Sequence, residues 1–336
     1  MKKFFGSALL LCVIVLGVSS GFAGEKVYKL KMATVVSPPH PWIVAAEEMV
    51  KQVKDETDGK VQITLQHSAA LGSDQSTIDG MRMGVVDMVV GGTSPASTFV
   101  PEFAIFSLPF LFDGYDSFNK AMDKESAVFA FFADVIRERG LGFTLLSLCG
   151  GGVRDVSNNL RPIVKPDDMK GIKMRVPANP IVSKIWSATG ALPSPMAWSE
   201  IYSAMQTGVV NCFDSSISGY YGSKYYEVAP FHSLTQHQFM VSYIAISDIA
   251  WKKLPEKYRE ILSKAVEKAG QRVTVVGSEF DKAKLSELQE KGLVKVNEVD
   301  AQAWVDLYKP LQDELATNLK GTKNGPKVLK LIRSVQ

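Results

Sequence analysis

The chain has 336 residues, and at about one domain per 150 residues that sets an expectation of two domains. Hydrophobic residues make up 46% and charged residues 22%, ordinary proportions that exclude wholesale disorder, a coiled coil, a collagen-like rod and a multi-span membrane protein. Lys+Arg 38 against Asp+Glu 35 leaves a net charge of +3, too balanced for a chain whose main partner is nucleic-acid backbone.

Lys2 and Lys3 precede an uncharged stretch from Phe4 that is apolar from Ala8 to Leu16. Gly21-Phe22-Ala23 then offers small residues where a signal peptidase cuts, before the first acid at Glu25. Residues 1–23 therefore read as a cleaved secretory signal. A retained anchor is disfavoured, because the apolar centre is short and its end is rich in Gly and Ser. Cys12 follows Leu11 and the apolar run continues past it, unlike a lipoprotein signal. Export permits a disulfide between Cys149 and Cys212, and only geometry decides whether one forms.

In chain order, Tyr28 to Val36 alternates like a strand, and a helix follows from Pro41 to about Asp58 with Trp42, Ala46, Met49, Val50 and Val53 on one face. Val61 to Leu65 reads as a strand, Asp74 to Gly84 as a helix and Val85 to Val90 as a buried strand, so these strands should be parallel with helical crossovers. Pro101 to Phe112 is apolar but too proline-interrupted for a helix. Phe118 to Arg139 reads as one helix, and Gly142 to Leu148 as a strand. A second series begins with strand Ile172 to Val176, then a helix with Asn179 as cap and Pro180 in its first turn, ended by Gly190. A helix from Trp198 to Gly208, strands Val209 to Phe213 and Phe239 to Ser247, and a helix from Pro255 to about Gly292 complete the pattern. That last helix, about 50 Å long at 1.5 Å per residue, exceeds a domain diameter and should brace both domains.

Enzymatic signatures are scarce. The chain has no phosphate-binding glycine loop, no HExxH and no CxxC pair, and Gly92-Thr93-Ser94-Pro95-Ala96 matches a nucleophile elbow only loosely. His232 and His237 are five apart, which suits neither a helix face nor alternate strand positions, so surface or capping roles are expected for the histidines. More informative is Ile172 to Val176, where Lys173 and Arg175 share one strand face. A solvated face and a ligand grip are equal readings of this pattern. In the second, the guanidinium at the strand's C-terminal end grips a carboxylate with two parallel hydrogen bonds, and the nearby helix start adds N–H groups for an anion.

Asp167-Asp168-Met169-Lys170-Gly171 leading into Ile172 to Pro177 resembles a signature of the substrate-binding proteins of tripartite ATP-independent periplasmic (TRAP) transporters, in the family of the C4-dicarboxylate binder. Further matches follow in order: Gly190-Ala191 with Pro193, the run Pro195 to Glu200, Tyr202 with Ala204 to Val210, and Lys224 to Val228. Upstream, Leu71-Gly72, Gly84 to Met88 and Ser107 to Phe112 also look like the family, so the resemblance covers nearly all of the chain from Tyr28.

The resemblance implies an α/β, two-domain Venus-flytrap fold with mixed, mostly parallel sheets, strands crossing between domains and the long helix spanning both. The expected division is 24–152 plus 241–280 for the first domain and 153–240 plus 281–336 for the second. It also implies a periplasmic protein that delivers an organic acid to an ion-gradient-driven permease in the membrane; no cofactor or metal of its own is expected, and a monomer is the default. The family's carboxylate-gripping arginine falls on Arg175, its second arginine on Arg154 and its pocket aromatic on Trp198. His40, in the loop Ser37 to Trp42, and Thr93 and Ser94 occupy positions that line the cleft from the first domain. Ser215 stands where sialic-acid-binding members carry Asn, and Gly92 where they carry an acid, which argues against a sialic acid ligand. Phe213 and Tyr220 are candidates for an aromatic pocket wall, with packing of the interdomain core as the competing role, preferred for Phe213. The rival functions are a binding protein of an ATP-driven importer, an exported enzyme acting on organic acids with Ser94 as a weak nucleophile candidate, and a sensor domain.

Overall fold

The computed structural model describes residues 26–335; the secretory-signal reading of 1–23 lies outside the described residues. Eleven strands are described: β1 (Tyr28–Ala33), β2 (Val61–Gln66), β3 (Met88–Gly92), β4 (Phe143–Cys149), β5 (Val153–Asn158), β6 (Lys173–Val176), β7 (Leu192–Pro195), β8 (Cys212–Ser215), β9 (Phe231–Phe239), β10 (Ser242–Ser247) and β11 (Lys295–Asn297). They form two sheets, of order β2-β1-β3-β10-β4 and β11-β9-β5-β8-β6-β7. This is the two-sheet α/β architecture expected from the sequence.

Parallel pairs join β1 to β2 and β3, β6 to β7 and β8, and β9 to β11. Every antiparallel pair involves one of the crossing strands β4, β5, β9 and β10. The cause is topological. A strand that arrives from the other sheet enters from the opposite end, so it runs against its neighbours. The series β1–helix–β2–helix–β3 needs crossover helices, and the helix Pro41–Glu56 supplies one by burying Trp42, Ala46, Met49 and Val53.

Several boundaries differ from the sequence reading. The single helix expected from Phe118 to Arg139 is two, Tyr115–Met122 and Ala127–Glu138, because Asp123 is extended and the Ser126 hydroxyl caps a fresh helix at the Phe129 N–H. The strand expected from Val85 starts at Met88: Gly84 has φ 74°, and the N–H groups of Val85 and Val86 fold back onto the Gly80 carbonyl. Pro101–Ser107 is a run of 3-10 turns. The strand expected over Phe239 to Ser247 breaks at Met240-Val241, the crossing point between β9 and β10. Strands β5, β7 and β11 and most of β9 had no sequence signal. The cysteines are separate buried thiols in different sheets, Cys149 in β4 and Cys212 in β8, and burial pushes the Cys149 thiol up to about 12.

The long helix Glu256–Glu290 has 35 residues. Its first half packs Leu262, Val266, Ala269 and Val273 into the apolar cluster of the first sheet, and Leu288 near its end belongs to the cluster beneath the second. The residues after the long helix contact both halves of the molecule. Trp304 and Tyr308 pack on Trp186 beside the second sheet. The helix Gly325–Arg333 instead contacts Ala127–Glu138 and Pro101–Ser107. Asn324 and Thr322 bond to the buried Glu102 carboxylate, which also pairs with Arg139.

Three segments join the sheets: Gly150 to Gly152, Met240-Val241 and the long helix. They are tied where they meet, by the Met240 N–H to the Gly152 carbonyl (2.9 Å) and the Gly150 N–H to the Thr274 hydroxyl (3.0 Å). Gly152 has φ 91°, and a Cβ there would lie 2.2 Å from an Asp281 carboxylate oxygen and 2.9 Å from Ser216 Cβ. Only glycine fits. Asp281 accepts from the Ser218 N–H at 2.7 Å, and burial, with Asp155 adding to it, pushes its carboxyl up to about 7.

That raised value has a definite sign. The neutral acid stabilises the fold below the ordinary aspartate range, and this contribution fades as pH rises through about 7. Every tenfold difference in proton affinity between the folded and unfolded chain is worth about 1.4 kcal/mol. The Asp281→Asn variant should therefore lose fewer degrees of Tm between pH 5 and pH 8 than the wild type, by several degrees at roughly 2–4 °C per kcal/mol. Thermal melts of both at the two pH values test this, and an equal or larger loss in the variant would refute it.

Candidate ligand-binding cleft

Between the sheets lies a cavity with about 650 Å³ of empty space, its open mouth included. The first sheet's side contributes His40, Thr93 and Ser94; the second contributes Arg154, Arg175, Trp198 and Ser215. The structure thus brings together seven of the residues singled out from the sequence. Tyr220 and Phe213 do not line the cavity, which corrects the candidacy of Tyr220 as a pocket wall and leaves Phe213 in the core-packing role preferred for it. Both are fully buried in the cluster beneath the second sheet: the Tyr220 hydroxyl donates to the Ala229 carbonyl at 2.7 Å, and Phe213 packs edge-on to Tyr225.

Arg175 sits near the C-terminal end of β6, between parallel neighbours β7 and β8, the end at which α/β sheets bind ligands. Lys173 begins the same strand and is exposed, donating to the Gly208 carbonyl. Arg175 is 4% exposed. Its Nε and Nη2 both donate to the Met196 carbonyl, at 3.2 and 2.9 Å. That leaves the end edge of the fork, Nη1 and the second Nη2 hydrogen, for a ligand. No carboxylate among the described residues forms an ion pair with it. Burial and the neighbouring Arg154 lower the guanidinium to about 10, so it stays charged at neutral pH.

The indole of Trp198 lies 5.7 Å from the Arg175 guanidinium carbon and is tilted against Tyr225. Its Nε1 donates to the Ser223 hydroxyl at 3.2 Å, and the Tyr225 hydroxyl donates to its carbonyl at 2.6 Å. Room for the indole depends on Gly219, where a Cβ would come within 3.0 Å of the ring.

Arg154 is committed differently. Its Nε donates to Asp214 at 2.6 Å and its Nη2 to the Asp214 carbonyl. Burial alone would raise the Asp214 carboxyl, but Arg154 and His237 overcome it and hold the group far below the carboxylate range. His237 Nε2 stands 3.4 Å from the same carboxylate, and His232 Nε2 stands 3.6 Å from Asp155. Both histidines are buried, so the surface or capping role expected for them is corrected: they back the acids of β8 and β5 from β9. Nothing in a five-residue spacing signals this, because Gln236, at φ 41°, breaks the strand's alternation between them.

On the opposite wall, His40 caps the helix Pro41–Glu56, its Nδ1 accepting from the Trp42 N–H at 3.1 Å. Burial lowers its imidazole to about 3, so the ring is neutral and carries its proton on Nε2. The Thr93 hydroxyl donates to the Val241 carbonyl, whereas the Ser215 hydroxyl is buried with no partner among the described residues. The helix start at Asn179 offers no free anion site. The Asn179 side chain accepts from the Ile181 and Val182 N–H groups and donates to Ser94 and Ser107, bridging the cleft instead.

Lining residues that lacked a sequence signal of their own include Asp74, Ser216, Gln238 and Met240. Asp74 reads in sequence as an ordinary first-turn helix acid. Gln238 and Met240 lie on the crossing strand, whose position the local pattern does not reveal.

Residues 32–318 match the family model for bacterial extracellular solute-binding protein, family 7. A solute-binding protein of Chromohalobacter salexigens is 32% identical over 278 residues, covering 82% of this chain and 81% of that one. A TRAP periplasmic solute-binding protein from the same species, solved with bound D-glucuronate, superposes with a TM-score of 0.84 at 28% identity, covering 91% of this chain and all of the other. One from Sulfurospirillum deleyianum, solved with bound succinate, gives 0.84 at 26% identity, covering 93% of this chain and all of the other. With its match across both sheets and the cleft between them, this chain belongs to family 7 of the bacterial extracellular solute-binding proteins.

Proposed function

We propose that this chain captures a small organic acid in the periplasm and delivers it to the membrane permease of a TRAP-type transporter. The observation that carries the reading is the buried Arg175 guanidinium, held by a backbone carbonyl and a tryptophan, with one edge of its fork open in the cavity. A carboxylate takes two parallel hydrogen bonds on that edge, and exclusion of water strengthens them. Uronate and succinate bound to structural relatives support an acid as the ligand. The working division is one lobe of 24–152 with 241–280 and another of 153–240 with 281–308, the C-terminal helices clasping the first. Closure over the ligand draws on the bridge from Asn179 to Ser94 and Ser107.

Binding without turnover is the favoured reading. Ser94 accepts from the Asn179 amide, and no imidazole among the described residues bonds to its hydroxyl. The imidazole nearest in role, His40, has Nδ1 occupied by a backbone N–H.

Arg175→Lys keeps the charge but loses the planar edge and the Met196 anchor. At about 1.5–3 kcal/mol for one lost charge-assisted hydrogen bond, affinity for the bound acid should fall at least ~10-fold. Calorimetric titration of ligand-stripped protein tests it, and near-normal affinity would overturn the grip. Arg154→Ala should behave differently. It strands the buried Asp214 charge, which costs about 3–5 kcal/mol in the empty protein, or roughly 10 °C of Tm at 2–4 °C per kcal/mol. An empty Arg154→Ala protein that melts with the wild type would show that Arg154 does not hold the lobe together.

A further inference from the structure

The cap of the helix Pro180–Ala188 faces two ways. On one side Asn179 Oδ1 accepts from the Ile181 and Val182 N–H groups, at 2.9 and 3.3 Å. Only the amide oxygen can accept there, so the orientation of the amide is fixed. The nitrogen then points the other way and donates to the Ser94 and Ser107 hydroxyls, both at 3.0 Å. Serine or aspartate would cap the helix about as well. Neither carries an N–H donor for the far side, so capping accounts for only half of what this residue does.

The two hydroxyls stand across the cleft. Ser94 lies in the short helix Thr93–Ala96 that follows β3. Ser107 ends the run Pro101–Ser107, where Phe103 stacks on Tyr243 of β10 and Phe106 packs on Phe132. Asn179 follows β6 of the second sheet. It is 2% exposed and Ser107 is fully buried, which keeps water from competing for these bonds. Neither Asn179 nor Ser107 lines the cavity, so neither is placed to touch a ligand there.

We propose that Asn179 is a latch between the lobes, which sets how long the ligand is held and not how fast it is captured. The proposal rests on the reading of the cleft as one that closes over a carboxylate. Bonds made only between closed lobes shift the equilibrium toward the closed complex. Release requires opening, and opening breaks both of them. Capture occurs in the open form, where the bonds do not exist. Their contribution therefore falls on the dissociation rate, where most affinity differences between related complexes lie. Asn179 is a positioning residue: it acts on the ligand through the placement of the lobes.

The test is stopped-flow kinetics on ligand-stripped protein with D-glucuronate, D-erythronate and succinate, followed by tryptophan fluorescence because Trp198 lines the cavity. The acid that binds most tightly to the wild type is carried through the variants. Asn179→Thr keeps a capping oxygen and removes the amide, and Ser107→Ala leaves the cap untouched. With each neutral hydrogen bond worth roughly threefold, dissociation should be about tenfold faster in Asn179→Thr and about threefold faster in Ser107→Ala. Association should stay within about twofold of the wild type. The double variant should dissociate no faster than Asn179→Thr alone, because the Ser107 contribution runs through the amide. A residue that only caps its helix would leave Ser107→Ala at the wild-type rate, and that result would overturn the proposal even if Asn179→Thr folds poorly. So would a loss confined to the association rate, or full additivity in the double variant, with Arg175→Lys still abolishing binding. If none of the acids binds, or if Arg175→Lys leaves binding intact, the carboxylate reading itself falls, and this inference with it.

Discussion

A guanidinium with little water around it and no protein carboxylate of its own is the constraint on which this cleft depends. Arg175 is tolerated at that depth because the Met196 carbonyl takes two of its N–H groups and the Trp198 indole covers its face. Each support has its own requirement. Met196 follows β7, which must lie parallel to β6 for its carbonyl to reach the arginine. Trp198 needs the space left by Gly219 and the hydroxyl of Tyr225. Tyr225 and Phe213 beneath the second sheet thus support the cavity indirectly, by holding a side chain that lines it.

The second arginine solves the same electrostatic problem by the opposite means. Arg154 is satisfied internally by Asp214, and the pair joins β5 to β8, with His237 backing it from β9. One cation is paired within the lobe, and the other has no carboxylate partner among the described residues. The crossing segments add a geometric constraint, since Gly152 presses against Asp281 and the Ser216 side chain where the long helix passes. The cleft and the joint between the lobes therefore share residues: Ser216 and Met240 border the cavity and also stand at the crossing.

The fold does not choose the ligand. Relatives of nearly identical overall shape were solved with a uronate and with a dicarboxylate, at TM-scores of 0.84 in both cases. Specificity lies in the few side chains that line the cavity. In this chain Asp74, the neutral His40 and the unpartnered Ser215 are among the side chains that line it.

Features set by near neighbours in the chain were legible beforehand. The alternation around Arg175, the Asn179 cap, the long helix with its regular apolar stripe and the β1–helix–β2–helix–β3 order all follow from local periodicity and capping chemistry. The order of family-like motifs located the cleft residues Arg154, Trp198, His40, Thr93, Ser94 and Ser215. What stayed hidden depends on contacts between distant segments. His232 and His237 are buried because β9 crosses to lie beside β5, whose Asp155 and whose neighbour's Asp214 they face. Tyr220 points into a core rather than a pocket. Asp74 becomes a cavity acid only because its helix is brought opposite Arg175 by the closing of two lobes. A side chain's type and helical phase are written locally, but its burial and its partners belong to the packing of one sheet against the other, and that packing was decided only in the tertiary structure.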